Sequence, residues 1–275
     1  MKLNNRIERF LIIKRRLFFF DIDDTLYSNG KNEVLSQTKK LILKLSQNPN
    51  VVLGIATGRN YANLDVIQEL LPCFKYLVLV NGALVLEDNK VIDEHPIPVN
   101  YIDNVVKQIK LYSGFKILAS GVSMNGSAFF SNDDSKQLEI IKHWTKKFDI
   151  KIDNQFYLKE KIFMLNIFGD DREKIKTFLD KLDYFQGYYW NTHIDLTMKT
   201  INKLHGIQKI KPKYNDYELI CVGDGCNDKE MLEFADIGIA MGNCEYIDVK
   251  KKANLISDHI MENTMYDFFI KNNLV

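Results

Sequence analysis

Leu17-Phe18-Phe19-Phe20-Asp21-Ile22-Asp23-Asp24-Thr25 decides the fold. Four large apolar residues run directly into a carboxylate-rich turn. A short apolar run bounded by polar residues reads as a strand buried on both faces, the habit of parallel sheets. Two other segments repeat the pattern. Val51 to Ala56 leads into Thr57-Gly58-Arg59, and Leu219-Ile220-Cys221-Val222 leads into Gly223-Asp224-Gly225-Cys226-Asn227-Asp228. Open parallel sheets form their sites just beyond the carboxyl ends of the strands. Three strand ends would therefore deliver carboxylates, a hydroxyl and backbone amides to one place, which suits a phosphate held with Mg²⁺.

The surrounding pattern is α/β. Ser36 to Gln47 carries Leu41, Ile42 and Leu45 at helical spacing, and Tyr61 to Leu71 reads as a second helix stopped by Pro72. Leu77 to Val80 is a strand ending at Asn81-Gly82-Ala83. This alternation predicts a doubly wound, Rossmann-like parallel sheet. The pattern then changes. Leu84 to Glu87 and Lys90 to Asp93 bracket an Asp88-Asn89 turn, and Pro96 and Pro98 punctuate a hinge. Helices over 101–112, 136–148 and 172–182 alternate with short strands over 116–119, 127–130 and 162–168. The expected organisation is a core of residues 1–85 and 191–275 with an inserted α+β cap over 86–190.

Composition narrows the function classes. The chain has 275 residues, 46% of them hydrophobic and 12% aromatic, enough for a large core. A formal net charge of +1 gives no general drive toward nucleic acid or a membrane surface. The basic lead, Met1 to Arg16, is followed by too short an apolar run for a signal peptide, and no stretch approaches a membrane span. Cys73, Cys221, Cys226 and Cys244 form no CxxC pair, so they read as reduced thiols of a cytoplasmic protein.

The chemistry follows from residue types. Residues i and i+2 of a strand point the same way, so Asp21 and Asp23 can face one pocket. An Asp carboxylate can attack phosphorus to give an aspartyl-phosphate. Attack of one anion on another needs neutralisation, which Mg²⁺ supplies through carboxylate and water oxygens. Asp224 is the natural further ligand, and Asp228 would back the site from the first turn of a helix. Thr57 and Gly58 offer a hydroxyl and an open amide to phosphate oxygens, ahead of a helix whose amino end favours anions. Arg59 could add bidentate contacts, and Lys203 a fixed positive charge against the transferring group. Lys199 is a rival for that role. The segment from Gly223 to Asp228 could be mistaken for a Ca²⁺ loop, but it lacks the bidentate Glu that closes an EF-hand.

Taken together, Phe18 to Leu26, Ile55 to Arg59, Asn81-Gly82-Ala83, Lys203, Val222 to Asp228 and Gly238-Ile239-Ala240-Met241-Gly242-Asn243 resemble the haloacid dehalogenase superfamily. The resemblance is to its Cof-type branch, subclass IIB, with a large inserted cap. It covers about Leu17 to Ser257 and is strong over the motifs but only topological over the cap. It implies that Asp21 is the nucleophile and Asp23 the general acid and base. It also implies that Asp21, the Asp23 carbonyl and Asp224 bind Mg²⁺ with Asp228 in support, and that Thr57, Gly58 and Lys203 hold the phosphoryl group. Arg59, Asn81 and Asn227 fall on the substrate and phosphate side. Leu204 stands where the family usually has glycine after the motif lysine.

Asp23 argues for alcohol leaving groups, because without an acid there an alkoxide departs poorly. The expectation is a Mg²⁺-dependent phosphatase of small phosphomonoesters, sugar phosphates or phosphorylated cofactors. Its partner would be a small phosphorylated metabolite, with no nucleic acid or membrane, and the chain a monomer or small homo-oligomer. A phosphomutase or phosphotransferase on the same core is the alternative, followed by a non-catalytic regulatory binding protein. A lid that closes over the strand ends would set substrate choice. Ser120-Gly121, Asn125-Gly126, Tyr184, Phe185, Tyr188, Tyr189 and Trp190 are its candidate contacts. His143, His193 and His205 show no metal-ligand spacing with one another.

Overall fold

A computed structural model describes residues 14–111, 117–130, 151–169 and 172–275. The expected helix over 136–148, His143 and most of the basic lead lie outside the described residues.

Fourteen strands are described: β1 (Arg16–Phe20), β2 (Val51–Ala56), β3 (Tyr76–Leu79), β4 (Leu84–Glu87), β5 (Lys90–Glu94), β6 (Ile117–Val122), β7 (Ser127–Phe130), β8 (Lys151–Ile152), β9 (Met164–Gly169), β10 (Phe185–Tyr189), β11 (Ile194–Met198), β12 (Glu218–Gly223), β13 (Ile237–Ala240) and β14 (Leu255–Ile256). They form two sheets. The first has the order β14-β13-β12-β1-β2-β3-β4-β5, parallel from β14 to β3 and antiparallel through the β4–β5 hairpin. The strands bearing the three motifs, β12, β1 and β2, are adjacent, which brings their carboxyl ends side by side.

The unbroken apolar run of β1 now has a cause. Phe18 and Phe20 face one core with Phe269, while Leu17 and Phe19 face a second with Ile207, Ile210, Met231 and Leu232. All five β1 residues are buried. Gly54 on β2 makes room for Phe19: a Cβ there would come within 2.3 Å of the Phe19 ring. The first core is closed by α1 (Ser36–Ser46), through Leu41, Ile42 and Leu45.

The second sheet has the order β10-β11-β9-β6-β7-β8. One of its faces is covered by α2 (Val99–Leu111) and α4 (Arg172–Leu179), with Ile102, Val105, Ile175 and Leu179 against Ala119, Leu165, Ile167 and Leu196. A short helix, α3 (Phe156–Lys159), lies between β8 and β9. The other face turns toward the first sheet. There Asn60 donates its side-chain amide to the carbonyls of Ser123 (2.9 Å) and Gly126 (3.2 Å).

One expectation is corrected. The helix over 61–71 is three separate 3₁₀ turns, Tyr61–Asn63, Asp65–Ile67 and Leu71–Cys73. The buried residues are Leu64, Ile67 and Leu70, spaced by three, which is the 3₁₀ repeat and not 3.6. The hairpin over 84–94 pairs with β3 and extends the first sheet, and the second sheet runs on to Met198. Residue 86 lies within β4, and residue 190 lies in the turn between β10 and β11.

Candidate active site

The ladder between β1 and β12 continues one residue past the strand, with the Asp21 amide donating to the Val222 carbonyl (2.9 Å). Asp21 is thus held rigidly at the strand end and is buried. Its Oδ1 accepts from Lys203 Nζ at 2.7 Å, and the same ammonium donates to Asp228 Oδ1 at 2.6 Å. Lys203 is 1% exposed and opens α5 (Lys203–Ile210). The helix starts there because the Asn202 side chain accepts from the His205 amide, a normal N-cap. Lys199, the rival, is exposed. Gly82 (φ +92°) lets the loop after β3 press on this segment, since a Cβ there would sit 1.9 Å from the Asn202 carbonyl oxygen.

The loop after β12 folds around Asp228. Its Oδ2 accepts from the amides of Asp224 (3.0 Å) and Gly225 (2.8 Å), leaving Oδ1 for Lys203. A 3₁₀ turn, Cys226–Asp228, precedes the helix α6 (Lys229–Phe234). Asp224 is steered by two residues to which sequence reasoning gave no role. Thr25 Oγ1 donates to Asp224 Oδ1 (3.2 Å), and Asn243 Nδ2 reaches both Asp224 Oδ2 (3.3 Å) and the Asp24 carbonyl (2.9 Å). The available signal was position alone: each closes a quoted motif.

Arg59 is not aimed at open space. Its Nε and Nη2 donate to the two oxygens of Asp23, both at 2.8 Å, and its Nη1 donates to the Asn63 carbonyl. Thr57 is buried beside β3, its amide donating to the Val78 carbonyl. Asn81 stands next to Gly58, accepts from Asn227 Nδ2 (2.8 Å) and donates toward Met164 Sδ on the second sheet. Thr57, Gly58, Asn81 and Asn227 therefore form one connected group, with the Asn81 amide donating to the Thr57 carbonyl (2.9 Å). The segment after Arg59 is a three-residue 3₁₀ turn, too short to supply the helix-end charge expected for it.

Comparison with known proteins gives the family. The sequence profile of the haloacid dehalogenase-like hydrolases matches residues 18–269. The chain belongs to that family. YkrA of Bacillus subtilis (strain 168), provisionally named a phosphatase, is 28% identical over 251 residues, covering 90% of this chain and 94% of YkrA. The 5-amino-6-(5-phospho-D-ribitylamino)uracil phosphatase YcsE of the same organism is 23% identical, covering 90% of this chain and 92% of its own. Among solved structures, the haloacid dehalogenase subclass IIB sugar phosphatase BT4131 superposes with a TM-score of 0.79 at 22% identity, over 94% of this chain and 100% of that one. The enzyme is a phosphatase of this superfamily, with the fold of a Rossmann-like core plus cap.

The electrostatics of this haloacid dehalogenase-like site are unbalanced. Burial pushes the Asp21 carboxyl up to about 7, with Asp228 and Asp23 adding to the rise and Lys203 opposing it. Burial also raises Asp224 well above the ordinary range, helped by Asp21 and Asp228. Burial works against the Lys203 ammonium, but Asp21 and Asp228 outweigh it and hold its pKa up. Asp23 goes the other way: burial opposes its charge, and the Arg59 pair overcomes that and lowers it. Asp21, Asp224 and Asp228 can each present an oxygen within 4.8 Å of the others. Three carboxylates against one ammonium, all with hard oxygen donors, fit a divalent cation of the Mg²⁺ type. Cys226 beside them has its thiol pushed up to about 11, chiefly by burial, so it offers no thiolate near neutral pH.

The cap-side aromatics divide into two groups. Tyr184 stacks on Tyr101 at 4.0 Å between ring centres and Phe185 is buried among cap residues, so both serve packing. Trp190 faces the loop after β12, its ring 3.2 Å from where a Cβ on Gly225 would stand. Its Nε1 donates to Asp195 Oδ2 (2.8 Å). Asp195 Oδ1 accepts from Asn166 Nδ2 (2.6 Å) and lies 3.0 Å from His193 Nε2. Ser120 Oγ donates to Asn166 Oδ1 (3.3 Å). The Tyr188 hydroxyl is pushed up by burial and by Glu230, Cys226 and Asp228 nearby. Among the described residues no helix is long and apolar enough to cross a membrane.

Proposed function

We propose that the enzyme is a Mg²⁺-dependent phosphatase of small phosphomonoesters that works through an aspartyl-phosphate on Asp21. The observation that carries this reading is the buried Lys203 ammonium bridging Asp21 and Asp228, with Asp224 alongside and a surplus of carboxylate charge. Asp21, Asp224 and the Asp23 carbonyl would hold the cation, and Asp228 would position it from behind. When bound, the cation supplies charge neutralisation for attack by one anion on another.

The steps fall to the chain's own groups. An Asp21 carboxylate oxygen attacks phosphorus and the ester P–O bond breaks. Asp23, in its acid form, gives its proton to the departing alkoxide. Water then attacks the acyl-phosphate while Asp23 takes its proton, the P–OAsp21 bond breaks, and inorganic phosphate leaves. Lys203, Thr57 and the Gly58 amide stabilise the equatorial oxygens, with Asn81 and Asn227 at their flank. Arg59 tunes Asp23: paired, it favours the carboxylate that activates water, and the acid form requires that grip to loosen.

The cap, taken from the sheets as about residues 95–198, would read the leaving group through Ser120, Asn166, Tyr188, Trp190 and Asp195. A polar face with one indole suits a polyhydroxylated or ring-bearing phosphate. The names of BT4131, a sugar phosphatase, and YcsE, a ribitylaminouracil phosphatase, lie in the same range. The compartment is read as the cytoplasm. The test is phosphate release from a panel of sugar and cofactor phosphates with and without Mg²⁺, beside Asp21→Asn. Mg²⁺-dependent release that vanishes in the variant is expected. A folded, Mg²⁺-binding protein that releases no phosphate unless an acceptor alcohol is added would favour the phosphotransferase.

A further inference from the structure

A second group of metal-ligating side chains lies apart from the carboxylate cluster, where the chain leaves the first sheet and where it returns. Asp93 is on β5, His95 follows it in extended chain, and His205 is in the first turn of α5. The i and i+2 spacing puts Asp93 and His95 on one side of the strand. Asp93 Oδ2 lies 2.9 Å from His95 Nε2, the two His Nε2 atoms are 3.0 Å apart, and His205 Nε2 is 3.6 Å from Asp93 Oδ2. The rings are nearly perpendicular, at 82°. All three side chains are partly exposed, so an ion can reach them.

Protons serve this arrangement poorly. A ring nitrogen carries at most one proton. If His95 Nε2 holds it, one N–H must serve a carboxylate and an imidazole lone pair at once. If His205 Nε2 holds it, the His95 lone pair faces a carboxylate oxygen. If both hold one, two N–H groups oppose each other at 3.0 Å. A cation at the centre satisfies all three atoms through their lone pairs. Zn²⁺ bonds of about 2.0–2.2 Å to imidazole nitrogen and carboxylate oxygen place neighbouring ligands of a tetrahedron about 3.4 Å apart. The observed separations bracket that value. Lys209 Nζ lies 3.4 Å from Asp93 Oδ1, the outer oxygen, and leaves Oδ2 directed at the two rings.

We propose that Asp93, His95 and His205 form a binding site for a transition-metal dication of the Zn²⁺ class, with a fourth position open to solvent. Two imidazoles and one carboxylate favour such an ion over Mg²⁺, which prefers an all-oxygen shell. The site spans both junctions with the cap. His95 begins the connection into it, and His205 lies just after the connection out of it, on the helix that Lys203 opens. A bound ion would fasten those junctions together and so stiffen the cap's hinge.

The experiment is calorimetric titration of ZnCl₂ into the full chain held in saturating Mg²⁺, which protects the carboxylate cluster. One equivalent of Zn²⁺ is expected. His95→Gln and His205→Gln should each weaken it by at least the roughly 100-fold that losing even a residue orienting a ligand can cost. Asp224→Asn should retain it. Co²⁺ should give the intense visible absorption of a tetrahedral site in the wild type and lose it in His205→Gln. Both His variants are checked for a wild-type melting curve without metal, and both side chains are partly exposed, so folding is kept separate from binding. Absence of Zn²⁺ binding by the wild type, equal binding by both His variants, or loss of binding in Asp224→Asn would overturn the assignment.

Discussion

Two charged clusters on the same sheet are treated in opposite ways. At the carboxyl ends of β1 and β12, Asp21, Asp224 and Asp228 share one ammonium, and burial raises the pKa of Asp21 and Asp224. On β4, Glu87 has more partners than charge. It accepts from Lys213 (2.6 Å) and Tyr76 (2.7 Å), with Lys75 at 3.2 Å, and they bring its pKa down to about 2. The Glu87 cluster is arranged for stability. The strand-end cluster gathers three carboxylates around one ammonium, an arrangement that costs stability, as functional sites commonly do.

Removing Lys203 should widen the contrast most. Lys203→Met leaves Asp21 and Asp228 buried without their shared partner. Breaking a buried ion group from one side typically costs about 3–5 kcal/mol. Loss of a positioned charge at the transferring group should lower kcat by roughly 10²–10³. Urea unfolding and phosphate release measure the two effects. A variant as stable as the wild type would mean the two carboxylates are already neutral in the fold.

Arg59→Gln sharpens the view of Asp23. Without the bidentate pair, the Asp23 pKa rises, and the alkaline limb of the kcat/KM profile, which marks loss of the Asp23 acid form, should move to higher pH. A merely structural role would lower the whole profile without moving its limb.

Much of this site was readable from the chain because each piece follows a long apolar run. Phe18 to Phe20, Leu53 to Ala56 and Leu219 to Val222 could be nothing but buried strands, so Asp21, Thr57 and Asp224 had to share one sheet end. Lys203 had Lys199 as a rival until the structure buried the one and exposed the other. What was hidden depended on partners distant in sequence. The pairing of the 84–94 hairpin with β3 is not written in its own residues. Leu64, Ile67 and Leu70 fit a helix of either pitch until packing chose the tighter one. Thr25 and Asn243 became visible only when they met at Asp224. His95 and His205, 110 residues apart, carry no spacing signal at all.

The pH dependence of stability should separate the two clusters by sign, in the protein stripped of metal by chelator. Asp21 has a folded pKa raised from 3.8 to about 7, so its contribution is present below pH 3.8 and is lost as pH rises through about 7. Asp21→Asn, neutral throughout, should therefore gain on the wild type across that window, although it abolishes turnover. Glu87 has a folded pKa lowered from 4.5 to about 2, so its contribution is present above 4.5 and is lost as pH falls toward 2. Glu87→Gln should cost about 1 kcal/mol at pH 7, the scale of a partly exposed ion pair, and converge on the wild type in acid. Urea midpoints from pH 3 to 8 test both, and parallel curves would remove the distinction.

The smallest effect should come from the cap. Trp190 lies over the loop after β12 but ends on Asp195, whose oxygens are also reached by Asn166 and His193. This network is satisfied within itself, unlike the strand-end cluster, so it can shape a pocket without supplying charge to the reaction. Trp190→Phe keeps most of the ring and removes one donor, a loss of roughly 1 kcal/mol and so about fivefold in equilibrium terms. If the indole only frames the leaving group, the change should fall on KM and differ among substrates, with kcat nearly constant. Equal loss of kcat on every substrate would place Trp190 instead with the groups that hold the reacting phosphoryl, and the boundary between a chemical core and a selective cap would have to be drawn through the indole.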